Sequence, residues 1–289
     1  MAITLDEILN SNRTHRSVVM GILNVTPDSF SDGGNFLKPD SAIAQAADMI
    51  TEGASIIDIG AESTKPGSDR VSADEQIERL KKILPRVVKL TNDSGVFVSI
   101  DTTLSKVAAF ALDTGVSIVN DISAGRDDPE LFPLVAEKNV PLVLMHMLGE
   151  PKTMQSNPTY QDVVAEVSVF LSKRLADAEA AGIARRKCII DPGIGFGKTM
   201  EHNLMLLGGI APLTKLGCPV LIGSSRKRFI GMITGQDDSN QRLGGTIATC
   251  LRAFEGGATI FRVHDVGQVR DALLVAEAIN ENQIRQIQK

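Results

Sequence analysis

The strongest constraint in this sequence is a repeated pattern: a short apolar, β-branched run followed by a stretch of helical character. The runs are Val18–Val25, Ser55–Gly60, Val96–Asp101, Ser117–Asp121, Pro141–His146, Lys187–Asp191, Pro219–Gly223 and Thr259–Val263. Segments such as IIDI, CIID and VLIG are nearly continuous in apolar character, as parallel strands covered on both faces require. Between them lie amphipathic stretches such as Ala42–Glu52, Asp74–Leu90, Lys106–Thr114, Tyr160–Ala181 and Asn240–Glu255. Eight strand–helix units match one closed (β/α)8 TIM barrel of the α/β class in size and count. The turn after the first run reads Asn24-Val25-Thr26-Pro27-Asp28 rather than G-x-G-x-x-G, which speaks against an open dinucleotide-binding sheet.

No Pro/Ser-rich linker, low-complexity tract or block of like charge divides the 289 residues, so a single domain over 1–289 is expected. With 30 basic and 35 acidic residues the net charge is -5. That argues against nucleic acid or an anionic membrane as partner, while leaving room for a local anion pocket. The opening MAITLDEILNSNRTHR has no apolar stretch of signal-peptide length, and no run reaches the roughly 18 apolar residues of a membrane span. The expected location is the cytoplasm. Cys188, Cys218 and Cys250 are odd in number and far apart, as expected of reduced, buried thiols.

Two connections exceed what a barrel needs, Thr26–Pro39 after the first strand and Ala61–Ser72 after the second, both rich in Gly, Ser, Asp and Pro. Both leave the C-terminal face, where long loops serve as lids or binding loops. The strands themselves end in polar groups: Asn24, Asp58, Asp101, Asn120 with Asp121, His146, Asp191, Ser225 to Lys227, and Arg262 with His264. Asp101, Asn120 and Asp191 present acceptors suited to a flat heterocycle edge carrying N–H and NH2 groups. Lys65, Lys227, Arg262 and His264, with Asn24 and Thr64 beside them, suit a dense anion such as pyrophosphate. Asn24 is a candidate ligand for Mg2+ if the anion's own oxygens complete the shell. Phe30 and Phe196 are candidate aromatics of a ring pocket.

Two motifs invite other readings. Gly193-Ile194-Gly195-Phe196-Gly197-Lys198-Thr199 ends like a P-loop, but Pro192 stands where its first glycine belongs. Arg226-Lys227-Arg228 is too short a basic run for a nucleic-acid groove. His146, between two methionines at the end of an apolar run, fits a packing histidine as well as a ligand.

At this point the residues resemble a known family. Met20 to Gly34 (MGILNVTPDSFSDGG) resembles the first signature of the dihydropteroate synthases, and Asp58 to Gly67 (DIGAESTKPG) their second. Further matches are Asp101-Thr102-Thr103, Asn120-Asp121, Met145-His146-Met147, Asp191 to Lys198, Ser225-Arg226-Lys227 and Arg262-Val263-His264. The resemblance implies a (β/α)8 barrel, commonly a homodimer, that joins 6-hydroxymethyl-7,8-dihydropterin pyrophosphate to 4-aminobenzoate in folate biosynthesis. It implies pterin contacts from Asp101, Asn120, Met145, Asp191, Phe196 and Lys227. Pyrophosphate contacts would come from Asn24, Thr64, Lys65, Arg262 and His264, with Mg2+ near Asn24. Aminobenzoate contacts would come from Phe30, Pro66, Ser225 and Lys227, and Lys227, Asp101 and Asp32 would be the catalytic residues.

Lys65 departs from the family's usual Arg and replaces a bidentate fork with a point charge. No insertion separates Pro66 from Gly67, so the resemblance also implies a sulfonamide target. The rival readings are a pterin-binding methyltransferase domain, which needs no pyrophosphate clamp, and a Schiff-base aldolase using Lys227. A third is a pterin-binding module without turnover.

Overall fold

A computed structural model describes residues 3–14, 16–26, 39–63, 67–150 and 152–287. Its strands are β1 (Val18–Asn24), β2 (Ile56–Gly60), β3 (Phe97–Asp101), β4 (Ile118–Asp121), β5 (Leu142–Met145), β6 (Cys188–Asp191), β7 (Leu221–Ile222) and β8 (Ile260–Val263). They form one sheet in the order β6-β5-β4-β3-β2-β1-β8-β7, each pair parallel. A parallel bridge between Ile190 and Val220 joins the two ends of that order. The expected barrel therefore closes. Parallel neighbours require a crossover between strands, and the helical segments supply it.

Alternation along each strand separates two apolar populations. Val19, Ile57, Val98, Val119, Leu144, Ile190 and Phe261 pack with the helices in one large cluster. Val18, Met20, Ile56, Ile118, Val143, Ile189, Leu221 and Ile260 form a second cluster inside the barrel. Side chains two apart share a face, so the next inward residues toward the C-terminal end are Asp58, Asn120, Met145, Asp191 and Arg262. The N-terminal end is closed by the helix Leu5–Leu9. Thr4 caps it reciprocally with Glu7, which satisfies otherwise unpaired amides at its start. Ile8 and Leu9 from this helix join the inner cluster.

Each expected strand is present, trimmed by a residue or two, except the seventh, which keeps only Leu221–Ile222 of Pro219–Gly223. The expected helix Asp74–Leu90 is two helices, Ala73–Leu80 and Leu84–Ser94. Pro85 explains the break, because it has no amide to bond the carbonyl four residues back. Asn240–Glu255 begins as a 3-10 turn, Ser239–Arg242, before the helix Leu243–Glu255. Further helices at Leu131–Lys138, Met200–Gly208 and Val266–Ile287 stand in the units that the amphipathic stretches leave open, and Arg228–Thr234 lies ahead of the 3-10 turn. Among the described residues no helix is long and apolar enough to cross a membrane.

Candidate active site

The C-terminal mouth is built around a buried ion network. Asp58 is fully buried and accepts hydrogen bonds from Asn120 Nδ2 (3.1 Å) and Arg262 Nε (2.6 Å). Arg262 Nη2 donates to Asp101 Oδ2 at 2.7 Å, so one guanidinium from β8 bridges carboxylates of β2 and β3. Register places Asn24 opposite Gly60, Gly60 opposite Asp101, and Asp101 opposite Asn120. Since residue 60 is glycine, no side chain stands between Asn24 and Asp101 in this row.

Asp101, Asn120, Asp191, Lys227 and Arg262 line one pocket, whose apolar lining is Ile122, Met145, Ile194 and Phe196. Ile122, Met145 and Phe196 also pack with Met147 and Met154 as a separate apolar cluster. The Lys227 ammonium lies 4.1 Å from the centroid of the Phe196 ring, a cation–π contact. Asp191 accepts from the Gly193 amide at 2.7 Å.

Burial dominates the electrostatics. It pushes Asp101 up to about 7 against the pull of Arg262, and Asp191 up to about 6 against Gly193 and Lys227. Burial and Arg262 together draw Lys227 down to about 8. For Arg262 burial works against the charge, but Asp58 and Asp101 prevail and its pKa is raised. His264 falls to about 4 through burial and the neighbouring Arg262 and Arg226, so it is neutral at pH 7. A pocket with both signs of charge and carboxylates held near neutral pH is suited to a ligand that brings donors to one side and negative charge to the other.

The segment from Asp191 to Lys198 shapes one side of this pocket. Gly193 has φ +67°, and a Cβ there would lie 1.9 Å from the His146 carbonyl oxygen, so only glycine fits. Lys198 turns inward to meet His146 Nδ1 and the Phe196 carbonyl, each at 2.9 Å. The following helix starts only at Met200. This is not a phosphate-binding P-loop.

The model of the pterin binding enzyme family matches residues 20–264. A dihydropteroate synthase of Synechocystis is 46% identical over 264 residues, 91% of this chain and 90% of that protein. The chain belongs to the dihydropteroate synthase family. A dihydropteroate synthase of Xanthomonas albilineans solved with 4-aminobenzoic acid superposes with a TM-score of 0.85 at 44% identity, covering 92% of this chain and 93% of that one. The same organism's enzyme in complex with 7,8-dihydropteroate gives a TM-score of 0.82 at 42% identity, covering 92% of this chain and 94% of that one.

The structure brings Asp101, Asn120, Met145, Asp191, Phe196, Lys227 and Arg262 into one pocket. Arg262, expected with the pyrophosphate set, is hydrogen-bonded to Asp101 of the pterin set, so the two sets meet at this pair. His264 Nδ1 lies 3.0 Å from Ser225 Oγ, which also accepts the His264 amide at 3.2 Å. That reciprocal pair ties the β7 and β8 ends together. Asn24 is half-buried at the end of β1. Phe30, Asp32, Thr64, Lys65 and Pro66 lie outside the described residues.

Other polar strand ends are clamps. Asp121 faces away from the pocket and accepts from the Ser123 amide and hydroxyl, both at 2.7 Å, and from the Gly125 amide. Arg226 forms a two-point pair with Asp265 at 3.0 and 2.6 Å. Asp58 received no role from its sequence position, although it joins Asn120 to Arg262. The available signal was a lone carboxylate inside IIDIG, where an apolar core would tolerate it only if paired. Ile122, Ile194 and Gly223 also line the pocket without having been singled out.

Proposed function

We infer that this chain carries out the reaction of its family, joining 6-hydroxymethyl-7,8-dihydropterin pyrophosphate to 4-aminobenzoate with release of 7,8-dihydropteroate and pyrophosphate. The observation that carries this reading is the composition of one pocket. Acceptors Asp101, Asn120 and Asp191 and cations Lys227 and Arg262 surround a slot walled by Ile122, Met145 and Phe196. The relatives solved with 4-aminobenzoic acid and with 7,8-dihydropteroate support it.

The pterin edge would lie on Asp101, Asn120 and Asp191, its donors replacing Arg262 as partner of Asp101. As the bond from the methylene carbon to the pyrophosphate oxygen breaks, its electron pair leaves with the pyrophosphate and positive charge develops on the pterin. The two carboxylates face that charge, and Lys227, Arg262 and His264 face the departing anion. Charge stabilisation of this preorganised kind needs no covalent nucleophile. The aminobenzoate nitrogen then bonds the methylene carbon and loses a proton to solvent.

Phe30, Pro66, Ser225 and Lys227 remain the proposed aminobenzoate contacts, with Thr64 and Lys65 on the pyrophosphate and Asp32 as a further catalytic residue. Asn24 offers one amide oxygen, which fits a Mg2+ ion that takes its other ligands from pyrophosphate oxygens and water. Such an ion would neutralise leaving-group charge. We read residues 1–289 as one pterin-binding barrel domain. A cytoplasmic homodimer is the expectation carried by the family resemblance.

The test is turnover with both substrates and Mg2+. Formation of 7,8-dihydropteroate with equimolar pyrophosphate is expected. Tight pterin binding without product would instead make the chain a binding module.

A further inference from the structure

Lys198 is buried to 3% exposure, yet among the described residues it forms no ion pair with a carboxylate. Its Nζ meets His146 Nδ1 at 2.9 Å, the Phe196 carbonyl at 2.9 Å and the His146 carbonyl at 3.4 Å. Burying an ammonium without an opposite charge in contact costs several kcal/mol or shifts its pKa. Burial does draw it down to about 7, and either protonation form still has hydrogens for two acceptors. Burial, with Lys198 adding to it, pushes His146 down to about 2. Its imidazole therefore stays neutral and can offer Nδ1 as the acceptor.

The two acceptors lie on different segments, the end of β5 and the turn after β6. That turn is held at other points too. Gln155 Nε2 donates to the Gly195 carbonyl (2.8 Å), the Gly195 amide donates to Asn203 Oδ1 (2.7 Å), and the Tyr160 hydroxyl donates to the Gly197 carbonyl (2.9 Å). The turn in return carries Phe196, whose ring walls the pocket and lies 4.1 Å from the Lys227 ammonium. At Gly195 a Cβ would stand 3.0 Å from Lys227 Cδ, so the backbone here also limits where Lys227 can lie.

We propose that Lys198 is a positioning residue for the pterin half of the reaction: by holding the Phe196 carbonyl against His146 it fixes the ring that walls the pterin side of the pocket. It touches no reacting atom. The role rests on the pterin reading of this pocket, and it predicts an asymmetry between the two substrates that a general loss of stability would not produce.

Lys198→Met keeps the chain length and removes the donors. Losing hydrogen bonds from a charged group corresponds to about tenfold or more. The KM for pterin pyrophosphate should therefore rise about tenfold, while the KM for 4-aminobenzoate stays within about twofold. If that variant does not fold, His146→Leu removes the acceptor and His146→Gln restores one. The first should reproduce the pterin-selective rise and the second should reverse most of it. Equal rises in both KM values, a fall in kcat with both KM values unchanged, or identical behaviour of the two His146 variants would overturn the proposal. Failure of the functional reading is separate: wild-type protein would then give no product, and calorimetric titration with pterin pyrophosphate would still compare the variants.

Discussion

Two rings of side chains inside the barrel, two residues apart on the same strands, have opposite chemistry. Toward the N-terminal end stand Ile56, Ile118, Ile189 and Ile260, sealed by Ile8 and Leu9. One step up on the same strands stand Asp58, Asn120, Asp191 and Arg262, around a network in which Asp58 is fully buried. Two residues of rise are about 6.6 Å, so a charged layer rests directly on an apolar one. The lower ring gains free energy by leaving water. The upper ring loses it, because its charges are desolvated and only partly repaid by one another. The difference assigns stability to the floor and ligand recognition to the mouth.

The largest expected effect comes from breaking the upper ring at its centre. Arg262→Leu leaves the Asp58 carboxylate buried with Asn120 as its remaining contact and frees Asp101. Removing one partner of a buried pair typically costs about 3–5 kcal/mol, and urea unfolding at pH 8 should show a loss of that size together with loss of turnover. Adding Asp58→Leu should recover most of the stability and none of the activity. A single variant that unfolds like wild type would mean that the Arg262–Asp58 contact carries no weight.

A similar but more selective loss is expected from the floor. Ile189→Ala removes fully buried apolar volume and should destabilise by about 2–5 kcal/mol. At a temperature where the variant is folded, its KM values should match wild type within about twofold. A pterin-specific rise in KM would show that the two rings are mechanically coupled.

The sequence revealed the strands because their apolar runs are nearly continuous, and that same continuity concealed which face is inward. Asn120 and Asp121 are adjacent, yet one bonds Asp58 and the other clamps its own loop. Only register separates them. Arg262 and Asp58 stand 204 positions apart, so their pairing follows from barrel closure and from no local pattern. The contact of Lys198 with His146 spans 52 positions and likewise follows from no local pattern. The broken helix at Pro85 was within reach of local rules, since a proline at that point already argues for a new helical start. The polar mouth was legible as a set of residue types, and their partnerships were not.

The smallest effect separates the two rings by pH. Asp101 is raised to about 7 and Asp191 to about 6, both by burial first, against roughly 3.9 in an unfolded chain. Below about pH 4 both carboxyls are protonated folded or unfolded, and their contribution is fully present. As pH rises to about 7 the folded state keeps protons that the unfolded state has lost, so stability from these groups falls. His264, lowered to about 4 by burial, acts oppositely, because its unfolded form gains a proton first as pH drops. The wild-type curve therefore mixes signs, and a difference curve is needed. Asp101→Asn keeps an oxygen for Arg262 Nη2 and removes the titration. Relative to wild type, it should become progressively more stable from pH 5 to pH 8 in urea unfolding, while pterin pyrophosphate binding weakens by about 1.5–3 kcal/mol through loss of a charged acceptor. The floor variant Ile189→Ala should run parallel to wild type across the same range. If Asp101→Asn also ran parallel, the mouth carboxylate would not be under the desolvation that this comparison assigns to it, and the contrast between the rings would be one of composition alone.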